Sequence, residues 1–426
     1  MNAHPPGQHI AVVGSGISGL TAAHLLSRRH TVTLFEANDY IGGHTHTVPV
    51  EMDGRELWVD TGFIVCNDRN YPNFLALMSG LGVELQATEM SFSVRNSRLG
   101  LEYNGHNLDT LFAQRRNLLR PRFYQFVRDI LRFNAAARAR EARLGDNPAS
   151  ASLTLDQFVS QLNLGKWFKD NYLLPMVAAI WSCSVRQAGE FPLEFFLRFF
   201  LNHGLLDIKH RPQWYVLKGG SHSYVQPLVS TVSGRVHLGV AVSRVKPVSG
   251  GVALLAADEW QSFDHVVLAC HSDQALALLD NPGQQAQQVL SAIRYQGNQV
   301  TLHCDDSFMP TRRKAWASWN FLAGDAAEER LPRVTYSMNI LQSIASSKPL
   351  LVSLNADELI APEKVIRQFT YTHPVYSVAS RSAQKQRDKI CGIANIHYCG
   401  AYWYNGFHED GVRSALDVCA RFGESL

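Results

Sequence analysis

Apolar and polar residues fall in blocks along the chain that predict its elements. His9-Ile-Ala-Val-Val13 is a short unbroken apolar run, suited to a parallel strand buried on both faces. Leu20-Thr-Ala-Ala-His-Leu-Leu26 reads as a helix with small residues on one side, and Thr31-Val-Thr-Leu-Phe35 as a second strand ending on Glu36. Further on, 235–238, 240–242 and 264–269 read as three strands with Gly250-Gly251 as a turn, and 396–400 as a last strand. Between these blocks the pattern changes. The spacing predicts helices over 111–144, over 155–164 after a Thr154 cap, and over 284–293, with strands at 298–303, 334–338 and 350–354. The densely aromatic run Pro192-Leu-Glu-Phe-Phe-Leu-Arg-Phe-Phe-Leu201 reads as buried core, with the lining of an apolar tunnel as the rival reading.

The turn between the first strand and the first helix is Gly14-Ser15-Gly16-Ile17-Ser18-Gly19. Its spacing has a physical basis. Gly14 permits a tight turn, Gly16 lets the backbone approach a pyrophosphate, and Gly19 lets helix and strand pack closely. The helix N-terminus then offers N–H groups and a positive dipole end to phosphate. Glu36, 22 residues after Gly14 and followed by Ala37, stands where a carboxylate accepts hydrogen bonds from ribose hydroxyls. A carboxylate there argues against NADP, whose 2′-phosphate would meet like charge. A second glycine pair follows in Gly42-Gly43-His44-Thr45-His46-Thr47, and then Val59-Asp60-Thr61-Gly62-Phe63. A nicotinamide enzyme has no need of that second pair, whereas a longer cofactor does.

At this point the chain resembles the FAD-dependent superfamily of amine oxidases, phytoene desaturases and protoporphyrinogen oxidases. The resemblance implies an α/β fold: a Rossmann-like FAD-binding domain of the glutathione-reductase type with an interleaved α+β substrate domain. It assigns 1–69, 216–271 and 386–426 to the FAD domain. To the substrate domain it assigns 70–215, mainly helical, and 272–385. The middle piece opens at Lys218-Gly219-Gly220, and Val242 would pack beside the adenine. In the terminal piece, Gly400 would lie near the pyrophosphate, while Gly406, Phe407, His408 and Val412 belong to the turn and helix that meet the flavin.

Relatives sandwich an amine between two aromatic rings, for which the counterparts here are Tyr376 and Phe407. Thr301 lies nearest the position of their water-bound lysine, and no lysine occurs between Lys246 and Lys314. That departure weighs against simple amine oxidation. His373, beside Pro374 in a segment without a predicted element, is a candidate base or a residue that orients the rings. Within the superfamily, Tyr336-Ser-Met-Asn339, Ser353-Leu-Asn355 and Phe369-Thr-Tyr371-Thr-His373-Pro374 resemble a bacterial group of FAD-binding amine oxidase-like proteins. That group is found with cyclopropane-fatty-acid synthase-type methyltransferases. The resemblance implies oxidation or desaturation of a modified fatty-acyl chain, with amine oxidation, flavin-dependent isomerisation and a non-enzymatic binding role as rivals.

Composition narrows the partners. The 426 residues are 46% hydrophobic and 18% charged with a formal charge of +3, enough for large cores and too balanced for nucleic-acid binding. Seven cysteines with no CxxC pair predict reduced thiols and no metal site of ordinary zinc spacing. No signal peptide or membrane-spanning run is evident, so a cytoplasmic protein is expected. Nine arginines from Arg115 to Arg143, against Asp129 and Glu141, read as a solvated helix face or as contact with a membrane surface or acidic acyl carrier.

Overall fold

A computed structural model of the chain describes residues 4–144, 153–207, 211–323 and 331–426. Its first layer is a five-stranded, all-parallel sheet in the order 236–238, Thr31–Glu36, His9–Val13, His265–Leu268, Ile396–Tyr398. The sheet thus draws strands from three distant stretches of chain. Ile10, Ala11, Val12, Val32, Leu34, Val266, Val267 and Leu268 are fully buried, as expected of parallel strands covered on both faces. The first helix, Ile17–Leu26, and the last, His408–Cys419, pack against each other on this sheet.

The strand expected at 240–242 instead begins at Val242 and runs to Val248. Gly239 (φ +71°) turns the chain out of the parallel sheet, and Gly250 (φ +84°) turns it back into Gly251–Ala256 and Glu259–Phe263. The result is a separate three-stranded antiparallel sheet.

A seven-stranded sheet forms the second layer, in the order 365–375, 294–303, 351–354, 334–337, 319–323, 92–96, 101–104. All its pairs are antiparallel except 319–323 with 92–96. Helices cover it, and their apolar faces make a second core with Phe123, Phe126, Phe133, Phe168, Phe196 and Phe200. The single helix expected over 111–144 is three pieces: Leu108–Leu111, a 3-10 turn at Arg115–Leu119, and Pro121–Leu144. Proline at the start of the last piece forces Arg120 into extended backbone, so the helix cannot run through. The predicted cap is present, with the Thr154 hydroxyl accepting from the Gln157 N–H at 3.3 Å. Phe407 touches both cores and marks where they meet.

Candidate functional site

The first glycine turn is shaped by what it cannot hold. Gly14 has φ +102°, and a Cβ on Gly19 would stand 1.9 Å from the Gly14 carbonyl oxygen. Gly16 differs: its backbone is ordinary (φ −64°, ψ 175°), and nothing lies within 4 Å of the place a Cβ would take. No side chain caps the first helix at Gly16, so the N–H groups of its first turn, from Ile17 and the buried Ser18, keep their capacity for an anion. Glu36 holds this turn. It accepts from the Ser15 N–H (2.9 Å), the Ser15 hydroxyl (2.6 Å) and the Asn38 N–H (2.9 Å), and the Ser15 hydroxyl in turn accepts from the Gly42 N–H (3.1 Å). Glu36 is therefore a tether for two glycine turns as well as a carboxylate beside exposed Ala37.

The second turn lies on the first. Gly42 and Gly43 both have positive φ, and a Cβ on Gly43 would approach Gly16 Cα at 3.1 Å. Thr45 reaches into the carboxyl end of the chain: its hydroxyl pairs with the Tyr224 hydroxyl and with His408 Nε2 at 2.9 Å. Phe63 stacks on the His408 ring with centroids 3.5 Å apart, and a Cβ on Gly62 would strike the His44 carbonyl at 2.1 Å. Gly400 (φ +157°) donates its N–H to Ser414 Oγ at 2.8 Å, and Gly411, one residue before buried Val412, packs on Ile17. Val242 lies two residues beyond Val240, whose N–H bonds the Glu36 carbonyl at 2.8 Å. The residues expected around a dinucleotide thus converge from both ends of the chain.

The expected reaction residues divide. Tyr376 and Phe407 come together through the aromatic helix Leu193–Asn202. Tyr376 stacks on Phe195 (5.3 Å), Phe407 stacks on Phe199 (5.1 Å), and Trp181 touches both phenylalanines (5.4 and 4.6 Å). Phe195 and Phe199 are four residues apart and so share one helix face, while Phe196 packs on Phe133 and Phe200. The Tyr376 hydroxyl is buried without a partner, against the Gly406 turn. Arg381 caps this wall, its guanidinium 4.8 Å from the Phe195 ring centroid. It donates to Gln384 Oε1 and to the Tyr404 carbonyl; Asp410 lies near enough to act on its charge, and no carboxylate among the described residues forms an ion pair with it.

His373 lies in the strand Val365–Val375, not in a loop, and pairs with Gln296. Asn298 Nδ2 meets its Nδ1 at 3.1 Å, while Asn298 Oδ1 accepts from Asn355 Nδ2 at 2.9 Å. That amide direction makes His373 Nδ1 the acceptor and leaves Nε2 carrying hydrogen. Burial, with His44 and His271 nearby, pushes its pKa down to about 3. The ring is a neutral donor and a weak base, which favours orientation over proton abstraction. Thr301 occupies the opposite face of the sheet. It is paired with Gln368 and Ser353, its hydroxyl has no partner, and its neighbours Ser353, Thr335 and His303 bond one another. Strand pleating thus prevents Thr301 and His373 from lining one cavity.

His271 and Asp60 carry no local signal in the sequence, whereas His44 belongs to the second glycine motif. His44 and His271 pack with His373 and are held neutral by burial, His271 at about 3. The Thr372 carbonyl accepts from His44, leaving its buried Nε2 without a partner. Asp60 accepts from Thr47 Oγ1 (2.5 Å) and from the N–H and hydroxyl of Ser221 (2.8 and 2.9 Å), tying the Gly219-Gly220 turn to Gly62 and Phe63. Burial raises its pKa to about 6, and raises that of Asp410, which accepts from the Phe407 N–H, to about 7.

The arginine stretch is largely used within the protein. Arg115 pairs with Asp109, Arg116 with the Gly100 carbonyl, Arg132 with Asp129 at 3.3 Å and Arg138 with Asp207 at 3.2 Å, and Arg122 lies over Trp167. The side chain of Arg143 lies outside the described residues. No described helix is long and apolar enough to cross a membrane.

These residues fit a flavin dinucleotide. The open face of Gly16, the uncapped helix start, the Glu36 carboxylate and the unpartnered His44 Nε2 supply the donors, acceptor and clearance that it needs. Among curated proteins, AofH of Mycobacterium tuberculosis, described as a flavin-containing monoamine oxidase, is 24% identical over 302 residues. That match covers 64% of this chain and 59% of AofH. An L-amino-acid oxidase of Bungarus fasciatus is 46% identical over 48 residues, 11% of this chain and 9% of its own. The chain thus spans less than two thirds of the length of either relative. A CLA-producing fatty acid isomerase from P. acnes shares the fold at a TM-score of 0.69 and 16% identity, over 97% of this chain and 98% of that one. The sequence profile of the flavin-containing amine oxidoreductases matches residues 17–359, so the chain belongs to that family, and its cofactor is FAD.

Proposed function

We propose that this protein is an FAD-dependent oxidoreductase that takes hydride from an apolar, fatty-acyl substrate. The observation that carries this reading is the wall from Tyr376 through Phe195, Trp181 and Phe199 to Phe407, capped by Arg381. Aromatic faces favour an apolar chain, and a half-buried guanidinium with no ion-paired carboxylate among the described residues, its neighbour Asp410 being pushed towards the neutral form by burial, favours an anionic head group. When bound, FAD supplies the two-electron acceptor for a substrate C–H bond. The protein's own residues hold the chain against the wall, exclude water, and keep His44, His271 and His373 neutral beside it. We assign 1–69, 216–271 and 386–426 to cofactor binding and the remainder to the substrate.

Relatives named for amines and for a fatty acid leave two rivals, amine oxidation and redox-neutral isomerisation. Anaerobic mixing separates all three. A long-chain unsaturated acid is expected to bleach the flavin. Bleaching by amines alone supports the amine reading, and product formed only on pre-reduced enzyme supports isomerisation.

A lipid surface is the partner we assign to the segment 108–131. Leu119 is 88% exposed and Leu108 75%, with Leu118, Tyr124 and Leu131 also exposed among the arginines. Co-sedimentation with anionic but not zwitterionic vesicles is expected, lost in Leu119→Asp. Equal recovery with neither vesicle removes this assignment.

A further inference from the structure

We propose that His4, His265 and His397 form a binding site for one zinc-type divalent cation, at the opposite end of the parallel sheet from the glycine turns. His265 opens its strand, and His397 sits on the neighbouring strand opposite Val267, so the two side chains are diagonal neighbours on one face. The N-terminal segment delivers the third ring, pinned where the His4 N–H donates to the Arg421 carbonyl at 3.2 Å.

The geometry matches a metal more closely than packing alone requires. The three ligand atoms lie within 4.8 Å of one another, and His265 Nδ1 and His397 Nε2 are 3.2 Å apart. Zinc–nitrogen bonds of about 2.0–2.1 Å in tetrahedral geometry place two ligand nitrogens ~3.3 Å apart. The Asn395 backbone also bonds the His265 ring, the kind of contact that orients a metal-bound imidazole. All three rings pack on Phe422, as does buried His30, whose nitrogens have no partner. That leaves an unmet demand for polar contact around one apolar ring.

Three imidazoles with no oxygen ligand select a borderline transition-metal ion over magnesium or calcium. Arg421 and Arg387 oppose a cation here, while Asp264 beside His265 and Glu424 beside His30 act in its favour. The ion would clip the N-terminal segment to the last strand, and it leaves one coordination position for water.

The test uses the untagged, flavin-loaded chain, stripped with chelator and then dialysed against zinc. One zinc per chain is expected, together with a rise in melting temperature. His4→Ala should weaken zinc binding at least tenfold while leaving flavin content unchanged, and His397→Gln should act likewise. Cobalt in place of zinc should give the visible d–d bands of a four-coordinate site. No zinc retained by the native chain overturns the proposal, and so does zinc retained equally by both variants.

Discussion

Gly411 lies against Ile17 with no room for a side chain: a Cβ there would stand 2.6 Å from Ile17 Cγ2 and 3.0 Å from the Ser18 hydroxyl. One residue belongs to the first turn of the last helix and the other opens the first helix. Both helix N-termini, with their partial positive charge, therefore point into one region. The Thr45–His408 hydrogen bond makes the same connection through side chains. A cofactor held there is gripped by residues almost four hundred positions apart in the sequence.

Gly16 and Gly19 should respond oppositely to the same change. Gly16→Ala meets open space in ordinary backbone, so the chain should fold with unchanged melting temperature and lose FAD affinity at least tenfold. Gly19→Ala drives its methyl into the Gly14 carbonyl and should cost about 1–3 kcal/mol of stability. Flavin content and thermal melts of the two variants check this, and equal behaviour would refute it.

Glu36→Gln keeps the size of the side chain and removes its charge. The Ser15 N–H and hydroxyl would lose a charged acceptor, a class of bond worth about 1.5–3 kcal/mol. FAD dissociation, followed by fluorescence, should become at least about tenfold more favourable.

Arg381→Met removes the cation and retains most of the packing on Phe195. KM for a long-chain acid should rise about tenfold or more, with kcat within about twofold, because the head-group contact is uniform in ground and transition states. An unchanged KM would remove Arg381 from substrate binding.

Acid should unfold this protein through its neutral histidines. Burial holds His203 and His303 at about 4 and His271 and His373 at about 3, below the ordinary 6.5. The unfolded chain therefore binds more protons between about pH 4 and 6.5, and the stability these groups contribute is full above 6.5 and lost as pH falls. Asp60 and Asp410 act with the opposite sign, since their folded values of about 6 and 7 exceed the ordinary 3.8. Their neutral forms favour the fold at low pH, and that contribution fades as pH rises towards 7. The histidines predominate, so the melting temperature should fall steadily from pH 6.5 to 4.5. A flat profile would contradict the buried neutral state.

The glycine turn was legible because each position answers a local demand for backbone shape, and the parallel strands because burial on both faces leaves a continuous apolar run. Faces and long-range contacts were less so. Thr301 lies on the expected strand but faces away from His373, since it stands an odd number of residues from Gln296, the partner of His373. His373 reads in the sequence as outside any element because Pro374 reads as a breaker. The strand Val365–Val375 is at the sheet edge, where proline is tolerated. Asp60, His271 and Tyr224 acquire their roles only from partners far away in the chain, as with Asp60 and Ser221, and no spacing rule marks them.

The most direct test of the substrate reading needs no turnover. Saturated fatty acids of increasing length, and a matching series of amines, can be titrated into the oxidised, flavin-loaded protein while the flavin spectrum reports binding. An apolar wall predicts that affinity for the acids rises by about fourfold per added methylene until the chain outgrows the wall. It also predicts that the amines bind weakly and without length dependence. Tight, length-independent binding of amines with no spectral response to the acids would contradict it.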